Sequence, residues 1–145
     1  VSEAVAEQIA LDFIKKWEGC SLTAYWDMIG QVWTIGYGHT KGVTKNMTCD
    51  QAQADKWLAE DVAWAVTNVK DFVNVVLNQN QFAALISFEF NTGAAATSGV
   101  FVNINENNFP AALDILMDWV HDGNGNVIPG LVNRRTAEKA LFLTP

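Results

Sequence analysis

Two carboxylates and a hydroxyl stand on three successive pieces of backbone near the start of this chain. They are Glu18, Asp27 and Thr34, inside the stretch FIKKWEGCSLTAYWDMIGQVWTIGYGHT that runs from Phe13 to Thr40. Side chains of these types, brought together across a hairpin, are the parts of a glycoside-hydrolysing site. One carboxyl group must protonate the leaving oxygen, while a second activates water or attacks the sugar. Glu18 suits the acid. It ends a helical stretch, where the macrodipole disfavours another negative charge, and it adjoins apolar Trp17; both effects favour the protonated form. Asp27 falls at the tip of the first strand, facing back across the turn, and Thr34 on the return strand is placed to help it hold a water. That division of labour is an inverting one. A Glu and an Asp nine residues apart are common, so spacing alone is weak support, and the surrounding residues must carry the argument.

The elements that position these residues follow from periodicity. Ile9, Phe13, Ile14 and Trp17 give residues 3–17 helical spacing with one buried stripe, and Gly19 is expected as its left-handed stop. LTAYWD, the turn MIGQ and VWTIGYG then read as a hairpin, with Gly30 as the turn residue. Gly36 and Gly38 suggest close backbone approach or a bulge. Thr48, with Gln51 three residues on, has the pattern of a capping box opening a helix that runs to about residue 70, roughly 30 Å long. Lys56 and Glu60 are expected on its solvated face. Further helices are expected from Asn78 to Thr92-Gly93, from Phe109 to Val120 with Pro110 in the first turn, and from Val132 to Phe142. AAATSG reads as a connection and HDGNGN as a turn-rich loop. The order is helix, short hairpin, then helices throughout: an α+β, predominantly helical chain with segregated strands.

At 145 residues, half of them apolar and six of them Trp, the chain is long enough for one domain or for two small lobes sharing a helix. A net charge of −7 and a pI near 4.6 exclude nucleic acid as a natural partner, because phosphate binding needs a basic face. No apolar run reaches membrane-spanning length, so no stable membrane anchor is expected in the given sequence. Cys20 and Cys49 permit one disulfide or two thiols, and both are expected as small hydrophobes in the interior. Asp122, Asn124 and Asn126 hint at a calcium loop, but Val127 replaces the required glycine and Asn133 the closing acid, so no metal is expected.

The segment WEGCSLTAYWD–G–VWTIGYGHT closely resembles the phage-type lysozymes, the endolysin family with a Glu, Asp and Thr catalytic set. The resemblance continues through LNQNQFAALISFEFNTG and GLVNRRTAEKALF, so it spans almost the whole chain. It implies a two-lobed fold in one catalytic domain, 1–145, with the cleft between the lobes. The β-containing lobe would take about 18–50, the connecting helix about 49–70, and the helical lobe about 71–145 plus the N-terminal helix. It implies a cofactor-free muramidase cutting the β-1,4 bond between N-acetylmuramic acid and N-acetylglucosamine of peptidoglycan strands. Such an enzyme would act in the bacterial periplasm or extracellular wall. By position, Glu18 is then the general acid, Asp27 the water-activating carboxylate and Thr34 its helper. Six residues separate Asp27 from Thr34, one more than the family's usual spacing. A shifted register would flip every later side chain; absorption of the extra residue at the turn, with Gly30 free to bulge, is expected instead.

Asn91 matches a family position lining the substrate cleft, with a helix C-terminal cap as the equal alternative. Arg134 falls where the family places an arginine near the catalytic Glu. A cation there opposes the effects that favour protonated Glu18, so the net sign stays open. Arg135 is expected in a surface or cross-lobe ion pair. Tyr25 and Trp33 are candidates for sugar contact, Trp26 alternating with them, although core packing is the ordinary role of such rings. His39 is expected to pair structurally with Asp61, and His121 to serve a helix end. The acidic charge sits awkwardly with an anionic wall; a basic patch including Arg134 and Arg135, help from another segment or partner, or a less anionic target would each resolve that. Two other functions stay open beside the muramidase. One is a lytic transglycosylase or chitin-type hydrolase on the same scaffold, and the other an inactive wall-binding relative. A monomer is expected, since no heptad stripe appears.

Overall fold

The computed structural model describes residues 3–145. In chain order its elements are α1 (Glu3–Trp17), β1 (Ser21–Asp27), β2 (Val32–Gly36), α2 (Gln51–Phe72), α3 (Gln79–Thr92), α4 (Val100–Asn105), α5 (Phe109–Met117) and α6 (Pro129–Phe142). The described residues divide into a hairpin unit, Leu11–Ala63, and a helical unit, residues 3–10 with Trp64–Pro145.

In the hairpin unit β1 and β2 pair antiparallel, with Tyr25 opposite Thr34, Trp26 opposite Trp33 and Asp27 opposite Val32. The extra residue is therefore absorbed at the turn, in the four-residue loop Met28 to Gln31, and the register beside Asp27 is regular. The glycine behaves differently from expectation. The left-handed residue of the loop is Gln31, at φ 52°, and the irregularity of the ladder falls in β1 between Ser21 and Tyr25. Gly19 does not adopt the left-handed conformation either; Glu18 closes α1 instead, its N–H donating to the Ile14 carbonyl at 3.0 Å. Beyond β2, Ile35 and His39 exchange backbone hydrogen bonds of 2.9 Å around a tight loop that needs Gly36 and Gly38 at φ 65° and 86°. Gly36 also packs closely on α2, where a Cβ would reach van der Waals contact with that of Ala54 at 3.4 Å. The segment before α2 runs alongside β1. Ala24 N–H donates to Met47 and Cys49 N–H to Leu22, at 2.8 and 2.9 Å, around a Thr23–Thr48 bridge. Thr48 is thus engaged with the sheet, and the cap of α2 is Asp50, whose carboxylate accepts the Gln53 N–H at 2.8 Å. Leu11, Ile14, Ile35, Ala54, Leu58 and Val62 form the buried apolar set of this unit.

In the helical unit Asn78 and Gln81 make a reciprocal capping box at the start of α3, and Gly93, at φ 63°, ends it. α3 packs on α6, α4 on α5 and α5 on α6. Leu85, Ile86, Phe88, Leu116 and Phe142 are buried among them, each burial contributing about 1.5–3 kcal/mol. α4 was not anticipated. It is one short turn-and-a-half, whose Asn103 amide folds back onto the Gly99 carbonyl at 2.8 Å. α5 stops at Met117, so His121 lies beyond its end, where its ring meets the Asp118 carbonyl at 3.2 Å. α6 begins earlier than expected, with Pro129 in its first turn where a missing N–H is harmless. In the loop between them Asp122 accepts the N–H groups of Asn124 and Asn126, which holds its carboxyl below the usual carboxylate range. No group of His, Cys, Asp and Glu suited to a metal occurs among the described residues.

Candidate active site

Alternation along the hairpin decides which side chains can act together. Tyr25 and Asp27 on β1 share a face with Val32 and Thr34 on β2, since successive residues of a strand point to opposite sides. Tyr25 is directly opposite Thr34, and Asp27 lies one pair further along, about 7 Å by strand rise. Tyr25 also lines an open depression of ≈ 300 Å³ together with Glu18, Gly19, Cys20, Ser21 and Gly38. Tyr25 is therefore the residue that links the half-buried Glu18 to the face carrying Asp27 and Thr34.

Asp27 is held by its own turn: one carboxylate oxygen accepts the Ile29 N–H at 3.0 Å. Thr34 is nearly buried, and its hydroxyl donates to the Val32 carbonyl at 3.2 Å, which leaves the hydroxyl oxygen as an acceptor. Trp33 is on the other face. It packs edge-on against Trp26, ring centroids 5.5 Å apart, away from Asp27 and Thr34.

His39 closes the loop after β2 onto α2. Its ring stacks flat on Trp57, 4.5 Å between centroids and 3° between planes, while Nδ1 meets an Asp61 carboxylate oxygen at 2.8 Å. With a ring face on Trp57 and one nitrogen on Asp61, both on α2, the imidazole is a strut for the loop that carries Gly38.

The helical unit holds the other candidates. Asn91 is exposed near the end of α3, and its side-chain oxygen accepts from the Arg135 guanidinium at 2.7 Å. The cap of that helix is Gly93. Arg135 is not a surface or cross-lobe residue: it is fully buried, with Nε 2.7 Å from Glu138 and the guanidinium 5.1 Å from the Phe88 ring centroid. Arg134 is also buried, 3.4 Å from Glu138 and within reach of the Ser87 hydroxyl at 3.3 Å. Burial pushes the Glu138 carboxyl up, against the pull of Arg135, the Ser87 hydroxyl and Arg134. Both arginines are buried, so neither belongs to an exposed basic patch. A charged triplet on an otherwise apolar helix face was the missed signal: Arg134, Arg135 and Glu138 fall at i, i+1 and i+4.

Cys20 is exposed on the rim of the Glu18 depression and Cys49 is half-buried; both are free thiols. The expected interior placement fails for Cys20 because it lies in the exposed connection between α1 and β1, beside Gly19.

A glutamate at a helix end, followed by a short hairpin with a second carboxylate and a hydroxyl on one face, is the layout expected of a lysozyme-type glycosidase. The comparisons with known proteins agree. The phage lysozyme family model matches residues 15–138. An endolysin of Acyrthosiphon pisum secondary endosymbiont phage 1 is 38% identical over 137 residues, which cover 91% of this chain and 93% of the relative. Among solved structures, the muramidase domain of SpmX from Asticaccaulis excentricus superimposes with a TM-score of 0.86 at 35% identity, covering 94% of this chain and 95% of that one. A variant of P22 lysozyme superimposes with 0.82 at 36% identity, over 93% and 95% of the two chains. The chain belongs to the phage lysozyme family. It is a lysozyme-type glycosidase that lyses peptidoglycan.

Proposed function

We propose that the chain hydrolyses the β-1,4 bond between N-acetylmuramic acid and N-acetylglucosamine with inversion. Glu18 protonates the leaving glycosidic oxygen, Asp27 takes a proton from the attacking water, and the Thr34 hydroxyl oxygen accepts a hydrogen bond from that water. The observation that supports this best is the pairing of the hairpin. It puts Asp27 and Thr34 on one face with Tyr25, and Tyr25 shares its depression with Glu18. Tyr25 then offers a sugar contact beside the acid. Asn91 binds substrate through its amide NH₂, its oxygen being held by Arg135, and Arg134 contributes to substrate binding or orientation. Trp33 contributes no sugar contact beside Asp27, being on the opposite face. The enzyme acts as a monomer and as one catalytic domain, on the glycan strands of the bacterial periplasm.

Turbidity clearing of permeabilised Gram-negative walls tests the assignment. Glu18→Gln and Asp27→Asn are expected to abolish clearing while remaining folded, and Thr34→Ala to reduce it. The alternative outcome is a reading in which Glu18 acts alone and releases an anhydro-sugar. If only Glu18→Gln were inactive, that reading would replace the first.

A further inference from the structure

The loop between β1 and β2 contains an inversion that turn chemistry does not explain. The residue in the left-handed conformation is Gln31, at φ 52°, where a glycine would relieve strain. The glycine stands one position earlier, at Gly30, whose φ is not positive and needs no glycine. Nor does packing shape the loop, for Met28 is 78% and Ile29 97% exposed. What Gly30 does provide is room. A Cβ on Gly30 would lie 2.9 Å from one oxygen of Asp27 and 3.5 Å from its carboxyl carbon. The other oxygen accepts the Ile29 N–H at 3.0 Å.

We propose that Ile29 N–H and Gly30 are a positioning cradle for Asp27: the N–H fixes one carboxylate oxygen while the missing side chain leaves space for the other. The glycine is placed for the carboxylate, and the strain at Gln31 is tolerated in consequence. This rests on the reading of Asp27 as the water-activating group. The physical expectation separates stability from rate. A methyl at Gly30 meets only the mobile end of one side chain and the Val32 methyl at 3.4 Å, so the fold accommodates it by letting the carboxylate swing. The swing spoils the alignment of water, and a displacement of that order slows a step by roughly 10- to 100-fold.

The test compares Gly30→Ala, Gln31→Gly, Asp27→Asn and the double variant Gly30→Ala/Asp27→Asn on solubilised peptidoglycan strands, with kcat and KM measured separately. Gly30→Ala is expected to lower kcat by roughly 10-fold or more with KM unchanged and thermal unfolding little altered. Gln31→Gly is expected to keep wild-type kcat and to unfold at the same or a higher temperature. In the Asp27→Asn background Gly30→Ala is expected to cause no further loss of kcat, because it acts through that carboxylate. Should Gly30→Ala fail to fold, Gly30→Ala/Gln31→Gly restores the turn and carries the same test. Wild-type kcat in the folded Gly30→Ala protein, or a rise in KM alone, overturns the cradle. Full activity of Asp27→Asn overturns the reading beneath it, and the two failures are thus distinct.

Discussion

Replacing Arg135 by Met removes the closest cationic partner of a carboxylate that no solvent reaches. Arg135 and Glu138 are both 0% exposed, joined by the 2.7 Å Nε contact and by a 3.2 Å bond from the terminal nitrogen. The variant leaves Glu138 with the Ser87 hydroxyl at 2.6 Å and Arg134 Nε at 3.4 Å. Breaking a buried pair at one side typically costs about 3–5 kcal/mol; the two surviving partners put this case near the lower end, about 3 kcal/mol. For a chain of this length that lowers Tm by roughly 6–12 °C. The pH dependence follows from the direction of the Glu138 shift. Burial already raises its folded pKa, and loss of Arg135 removes the strongest pull downward, so the folded variant binds its proton more tightly still. A carboxyl with a raised folded pKa favours folding below its unfolded value and loses that contribution as pH rises through the folded value. The deficit of Arg135→Met is therefore smaller at pH 5 than at pH 8. Urea unfolding followed by Trp fluorescence measures this, and Arg135→Met/Glu138→Gln is expected to lose less than the sum of the single variants. A deficit below about 1 kcal/mol, or one equal at both pH values, would refute the idea that this pair is a strained but necessary buried charge.

Three further outcomes follow from the geometry. Asp61→Asn keeps the shape of the His39 contact but removes its charge; it is expected to lower stability by about 1 kcal/mol in thermal unfolding and to leave kcat unchanged within roughly twofold. Gly93→Ala, at φ 63° with open space around it, is expected to cost about 1 kcal/mol through backbone strain alone, read by the same unfolding assay. The Cys49 thiol is pushed up by partial burial, then by Cys20 and Asp50, so alkylation at pH 8 is expected to label exposed Cys20 first and Cys49 slowly. Equal labelling rates for the two thiols would contradict this ordering.

Much of this was legible because local pattern and chemistry agreed. The alternation of LTAYWD and VWTIG specified a hairpin, and its register follows once Asp27 and Val32 close a four-residue loop. Asn78 and Thr92-Gly93 mark the two ends of α3. The failures have separate causes. Thr48 carried a capping pattern, yet the bridge to Thr23 claimed it, and Asp50 took the cap because tertiary pairing outranks a local signal. α4 was invisible because six residues are too few to display a period. Arg135 reads as one half of a surface or cross-lobe ion pair, whereas Glu138 and Asn91 satisfy its charge inside the helical unit. Trp33 was a sugar-contact candidate by residue type, and only the strand register showed which face it occupies. Gly30 reads as a turn residue, and only the folded loop shows an oxygen of Asp27 2.9 Å from where its Cβ would stand.

The central claim is that Glu18 and Asp27 divide the work of an inverting hydrolysis, and the first-formed product tests it most directly. Purified peptidoglycan digested by the wild-type protein, with the new reducing end followed by NMR before mutarotation, is expected to show the α-anomer and the mass of an added water. A β-anomer formed first, or an anhydro-sugar lacking that water, would contradict the account.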